Sequence, residues 1–317
     1  MIEPSHKPAS LLILGGRGCL GSALSLMSWP RTWRIRSVSH QTLDITIKTD
    51  ISRFFEKESA TFGPFDYVIN AAAFLPVDKA EGNPEKALNV NGLALQNIAE
   101  VCNTYGSLLV HFSTEQVFDG SGRRALCEDD PKNPLNVYGR SKHIGDLILE
   151  TVNIPYITLR TSWLFGLHCR SFVQKIWQLS DEVRTIDIVD DQIACSTYIG
   201  DLCDALLSIL TQHNQDQNKR KPLGVFHICG KDEISWFGFA QAVLEAIKPH
   251  QIPRLKIRPI TTKAYREKNP FVAARPLYAP LNCRKIEKAY GIKQTSFKHH
   301  LPRCIKAFEE KNCASMA

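Results

Sequence analysis

Residues 11–21 read Leu-Leu-Ile-Leu-Gly-Gly-Arg-Gly-Cys-Leu-Gly, and this stretch decides the fold. Four apolar residues in a row suit one buried strand, and Gly15, Gly18 and Gly21 then open an amphipathic segment, "GSALSLMS". Glycine permits a tight turn and a close approach of backbone to a pyrophosphate, which rests on the positive end of the helix dipole. A glycine run also suits a helix packed closely on a strand, but its place after the first strand favours a dinucleotide. Arg17, Cys19 and Leu20, inside the same loop, are expected to share that site.

Outward from this unit, short apolar runs alternate with longer amphipathic ones. "WRIRSV" (33–38), "YVINAA" (67–72), "LLVHFST" (108–114), "YITLRTSW" (156–163) and "VFHIC" (225–229) read as strands. "ISRFFEKE", "KALNVNGLALQNIAEVC" and "YGRSKHIGDLILETV" read as helices between the early ones. The alternation predicts an α/β fold, a doubly wound, mostly parallel Rossmann sheet. Beyond about residue 165 the pattern becomes irregular and proline-rich, as in "IPRLKIRPI" and "ARPLYAP". We therefore expect a dinucleotide-binding domain over 1–165 and about 186–230. A smaller substrate domain is expected over about 166–185 and 231–317.

Bulk properties narrow the function. The 317 residues are 44% hydrophobic and 22% charged, an ordinary globular composition. The net charge of +7 is scattered among 32 acids, and the densest basic run, "NKRK" (218–221), reads as a solvated loop. No nucleic-acid partner is expected. No apolar run is long enough for a bilayer, and "MIEPSHKPAS" lacks the order of a signal peptide, so no membrane association and a cytoplasmic location are expected. The 10 cysteines form no C-x-x-C pair and no zinc-spaced cluster, and read as buried free thiols; no metal site is predicted.

The end of the second strand, "RSVSHQ", carries no acid for an adenosine ribose 2′-hydroxyl. Without that carboxylate a 2′-phosphate meets no repulsion, and Arg17, Arg36, Ser39 and His40 are candidate contacts, so NADPH is expected, with NADH as the alternative. "TLDI" places Asp44 and Ile45 near the adenine, and "NAAA" places Ala71, Ala72 and Ala73 at a strand end beside the cofactor path. Phe112, late in the fourth strand, is counted with them.

In "NVYGRSKHIG", Tyr138 and Lys142 are one helical turn apart, so they share a face, where an ammonium lowers a phenol's pKa. Y-x-x-x-K alone is a weak signal. "FSTEQVF" adds the hydroxyls of Ser113 and Thr114 at the end of the fourth strand, where the ligand crevice of such a sheet lies. His111, on the same strand, reads as a satisfied interior histidine.

Taken in order, "GGRGCLG", "LDI", "VINAAA", "VDKAE", "STEQVFDG", "PLNVYGRSK", "RTSWLFG", "VDDQ" and "ARPLYAPLN" resemble the extended short-chain dehydrogenase/reductases. Within them the series is similar to the dTDP-4-dehydrorhamnose reductases, over about residues 11–300. The resemblance implies reduction of the 4-keto group of a nucleotide-activated 6-deoxysugar, with dTDP-rhamnose the default product. It implies Thr114 polarising the carbonyl, Tyr138 supplying the proton and Lys142 holding the nicotinamide ribose. Substrate contacts would fall on Thr114, Glu115, Trp163 and Gln192, with Arg275 on the diphosphate. It leaves magnesium open and allows a homodimer, since some relatives pair through helices or through a magnesium site.

The sequence departs from the usual S-T-D-Y-V-F-D-G at Glu115 and Gln116, and from the usual residues at Leu75, Pro76, Ala194 and Ser196. These changes put the particular sugar in doubt. Two other readings are a reductase that also epimerises, for which Cys169 and His168 would be the acid-base pair, and a non-catalytic NADP-binding subunit. Adjacent side chains point in different directions, which disfavours the first. The intact Thr114, Tyr138 and Lys142 disfavour the second.

Overall fold

The computed structural model describes residues 7–316 apart from His168, Arg170, Gln217, Lys219, His250 and Gln251, with the backbone alone for 311–316. The N-terminal six residues and Lys219 of the basic run therefore lie outside the described residues. The first half runs β1 (Ala9–Leu14), α1 (Cys19–Leu26), β2 (Trp33–Val38), α2 (Lys48–Phe62), β3 (Tyr67–Asn70), α3 (Val77–Glu81), α4 (Pro84–Leu88), α5 (Ala94–Tyr105), β4 (Leu108–Thr114), α6 (Val137–Thr151) and β5 (Tyr156–Thr161). The second half runs β6 (Leu164–Phe165), α7 (Phe172–Leu179), β7 (Thr185–Val189), β8 (Ile193–Cys195), β9 (Thr197–Tyr198), α8 (Ile199–Gln215) and β10 (Gly224–His227). It ends with β11 (Glu233–Ser235), α9 (Trp236–Ile247), β12 (Lys256–Ile260), α10 (Thr262–Lys268), α11 (Arg284–Tyr290) and α12 (Leu301–Met316).

Six strands make one parallel sheet in the order β10-β5-β4-β3-β1-β2. Both faces are covered, which is why the central strand β1 reads as a nearly continuous apolar run. Leu11 and Ile13 of β1 point to a core shared with α1, α8 and α11, whereas Leu12 and Leu14 point to a core shared with α2 and α5. This is the doubly wound, Rossmann-like architecture expected. A separate core, with Phe165, Val173, Ile188, Phe239, Phe297 and Ile305, holds the smaller part together.

Two features lie beyond the sequence pattern. The strand β7 does not join the large sheet but pairs in parallel with β12, so residues from 186 pack with the smaller part until α8 returns to the large core. The helix expected over "KALNVNGLALQNIAEVC" runs on from α4 to α5 and carries a π turn at Asn89–Leu93 between them. Hydrophobic spacing does not register one extra residue in a turn. Among the described residues no helix is long and apolar enough to cross a membrane.

Candidate active site

The strand order reverses between β1 and β3, and a cleft of about 1070 Å³ opens at the C-terminal ends of the strands there. Its floor is backbone. Gly15 has φ +82°, and a Cβ on it would meet the Ala72 amide nitrogen at 2.6 Å. Gly21 does not line the cleft; it lets α1 seat on the loop, since a Cβ there would lie 2.1 Å from the Gly15 carbonyl oxygen. Gly18 caps α1 without a side-chain bond and no acid sits in the first turn. The first N–H groups of this helix, for which a helix has no internal partners, are thus free to take an anion. Gly15, Arg17, Gly18, Cys19 and Leu20 all line the cleft here. Ala71, Ala72 and Ala73 after β3, and Phe112 of β4, form the facing wall.

At the far end, Ser39, His40, Asp44 and Ile45 line the cleft, and no acid stands among Ser39, His40 and Gln41 directly after β2. The Arg17 guanidinium donates to the Gln41 side-chain oxygen. Arg36, expected beside it, is instead 3.3 Å from Glu58, so its charge is already engaged. Asp44 accepts from the backbone N–H and hydroxyl of Thr46 through Oδ1, at 2.9 and 2.6 Å, a local turn preceding α2.

The chemical groups converge where β4 ends. Asn136 caps α6 by accepting from the Gly139 N–H at 2.7 Å, and its amide donates to Gln116 Oε1 at 2.8 Å. That bond locks the start of α6 onto the Glu115–Val117 turn and gives Gln116, one of the departures, a positional role. Tyr138, Lys142, Thr114 and Glu115 are all buried and all line the cleft. The Tyr138 phenol is not lowered as expected from the sequence. Burial, then the Glu115 charge, raises its pKa, while a hydrogen bond with Thr114 acts the other way. It is held as the neutral proton-bearing form. Burial draws Lys142 down to about 8, opposed by the charge of Asp146.

His111 is interior, as expected, but it is also the neighbour of Lys142. The Asn70 Oδ1 accepts from the Ala72 N–H at 3.2 Å, so its Nδ2 donates to His111 Nδ1 at 3.2 Å. The other ring nitrogen, Nε2, lies 3.4 Å from Lys142 Nζ. Burial holds the imidazole well below its usual pKa, so it adds no charge beside the lysine.

Glu115 is pushed up to about 7, burial outweighing the hydrogen bonds from Thr114 and Gln116 and the charge of Arg275. Arg275 lines the cleft and donates through one nitrogen, Nη2, to both oxygens of Asp78 at 2.9 Å, while Nη1 donates to the Ala273 carbonyl. Asp78 stands in the "VDKAE" segment and was not singled out from the sequence. Trp163 lines the cleft with a left-handed backbone, φ 42°, and stacks on Trp236 with ring centroids 3.6 Å apart. Trp236 also lines the cleft; a tryptophan directly after the Ser235 cap of α9 was its only sequence signal. Gln192 does not line the cleft here; its amide donates to Thr262 at 3.1 Å. Asn91, buried in the π turn, was also missed. It brackets the Phe74 backbone and donates to Ser141 of α6 at 3.0 Å, which ties the "NAAA" loop to the tyrosine helix.

The expectation of free thiols fails at one pair. Cys19 and Cys169 form a disulfide that ties the glycine loop to the segment after β6. The two stand 150 positions apart, so no local spacing signals them. With its sulfur so bonded, Cys169 is no acid-base thiol, and its proposed partner His168 lies outside the described residues. Among the described residues no group of three or more His, Cys, Asp or Glu side chains is placed to hold a metal ion.

Comparison with known proteins agrees with this geometry. The family model described as the RmlD substrate binding domain matches residues 9–310. A dTDP-4-dehydrorhamnose reductase of Aggregatibacter actinomycetemcomitans is 33% identical over 305 residues, covering 95% of this chain and 100% of that one. A reductase of the same name from Sinorhizobium fredii is 29% identical, covering 94% and 97%. Among solved structures, a dTDP-4-dehydrorhamnose reductase of Bacillus anthracis in complex with NADP superposes with a TM-score of 0.83 at 26% identity, over 95% of this chain and 99% of that one.

Proposed function

Because the chain belongs to the RmlD substrate binding domain family, we propose that it is an NADPH-dependent reductase of a nucleotide-activated 4-keto-6-deoxysugar, with dTDP-4-dehydro-L-rhamnose as substrate and dTDP-L-rhamnose as product. The observation that carries this reading is the meeting of Thr114, Tyr138 and Lys142 beside a glycine-floored cradle too tight for any side chain at Gly15. The cradle and the N-terminus of α1 fit the pyrophosphate of a dinucleotide. NADPH, when bound, supplies the hydride that adds to the carbonyl carbon.

The chain's own residues handle the charge that results. As the carbonyl oxygen becomes an oxyanion, the Thr114 hydroxyl donates to it and Tyr138 gives it a proton. The Lys142 ammonium, still protonated at neutral pH, offsets the charge left on the tyrosine until solvent replaces the proton. Arg275 is suited to a diphosphate because its fork matches two oxygens, and it would exchange Asp78 for the substrate. The Trp163–Trp236 stack gives the sugar end an apolar wall. We place this step in the cytoplasm, in the supply of a surface-polysaccharide sugar.

The test is an assay of purified protein with NADPH or NADH and a series of nucleotide 4-keto sugars. NADPH oxidation with the dTDP-linked 4-keto sugar is expected. Tight NADPH binding without oxidation against any member of the series would defeat the proposal.

A further inference from the structure

Thr114 and Glu115 are neighbours in sequence and also in hydrogen bonding. The Thr114 hydroxyl donates to Glu115 Oε2 at 2.7 Å and accepts from the Gln116 N–H at 3.2 Å. A hydroxyl has one proton and two acceptor positions. While Glu115 is a carboxylate, which can only accept, the Thr114 proton is committed to it. The proton that Thr114 would give to a carbonyl oxygen is thereby turned away from it. Once Glu115 carries a proton the order reverses. The carboxylic acid donates to Thr114, both acceptor positions are filled by Glu115 and Gln116, and the Thr114 proton is released to the cleft.

We propose that Glu115 is a positioning residue that works through Thr114, withholding the threonine proton from the substrate as a carboxylate and releasing it as a carboxylic acid. This rests on the reading above that Thr114 meets the carbonyl oxygen. The site is built for such a change. Glu115 is buried, and the charged or titratable groups facing it are Tyr138 from α6 and Arg275 from the 273–276 loop, whose guanidinium Asp78 of α3 holds. Thr114 and Gln116 supply the other polar contacts. Lys142 sits one turn further along α6 against His111.

The experiment compares kcat/KM from about pH 6 to 8 in the unaltered protein, Glu115→Gln and Thr114→Val, together with infrared difference spectra of the NADPH-bound protein. In the unaltered protein kcat/KM should fall about tenfold as Glu115 ionises near pH 7. A carboxylic-acid carbonyl band should fade over the same range. In Glu115→Gln the amide donates permanently to Thr114, so that band is absent and only the fall of about twofold from Lys142 at pH 8 remains. Thr114→Val should be slow at every pH. If Thr114→Val turns over normally, the reading of Thr114 at the carbonyl is wrong. If Thr114→Val is slow but Glu115→Gln keeps the tenfold fall, or is inactive throughout with NADPH affinity intact, or the unaltered protein shows no fall, Glu115 does not act through Thr114.

Discussion

The two ends of the cleft are built differently. The cofactor end is made of backbone: the Gly15–Gly21 loop, the first turn of α1 and the alanines after β3. The substrate end is made of side chains drawn from distant parts of the chain, Glu115, Trp163, Trp236 and Arg275, held by partners such as Asp78 and Gln116. A backbone site depends on shape and tolerates few changes. A side-chain site can be altered residue by residue while the cleft persists.

Tyr138→Phe should give the largest effect if the chemistry lies between the two ends. Turnover should drop about 10²–10⁴-fold with NADPH affinity nearly unchanged, since the phenol proton is lost and the ring is kept. A drop in affinity equal to the drop in turnover would place Tyr138 in the cofactor half alone. Gly15→Ala should act the other way. The new Cβ clashes with the Ala72 backbone and the positive φ disfavours it, so NADPH should bind more than tenfold more weakly, as calorimetry can measure. Trp236→Ala should raise the KM for the nucleotide sugar about tenfold and leave NADPH binding alone, because an apolar wall is lost only at the sugar end.

Glu115 gives an effect on stability. Its folded pKa of about 7 lies above its ordinary value of 4.5, so its contribution to stability is present at low pH and is lost as pH rises through about 7. Glu115→Gln should therefore gain relative to the unaltered protein between about pH 5 and pH 8, by up to about 3 kcal/mol in urea titrations. Smallest should be the cofactor phosphate: Arg17→Ala should lower the preference for NADPH over NADH a few-fold, whereas Arg36→Ala, whose charge is spent on Glu58, should not change it.

The same contrast explains what the sequence disclosed. β2 and β4 fall where their apolar runs stand, and the glycine loop is legible because only glycine meets its steric demand. The pairing of β7 with β12 was not, because a short strand carries no record of its partner. Trp236 and Asp78 went unseen because each becomes a site residue only through a partner at least 70 positions away, Trp163 or Arg275. The disulfide between Cys19 and Cys169 is a third case of distance hiding a contact.

The π turn at Asn89–Leu93 sets the rotational phase between two faces of one continuous helical run. Behind it, α5 turns Leu95, Ile98 and Cys102 into the core, while Lys86 ahead of it and Asn89 and Val90 at its start line the cleft. A single residue is about 100° of helix, so shortening the turn by one would swing α4 and its lysine off the cleft while α5 stayed seated. The turn works as an angular offset that lets one segment serve both the core and the ligand.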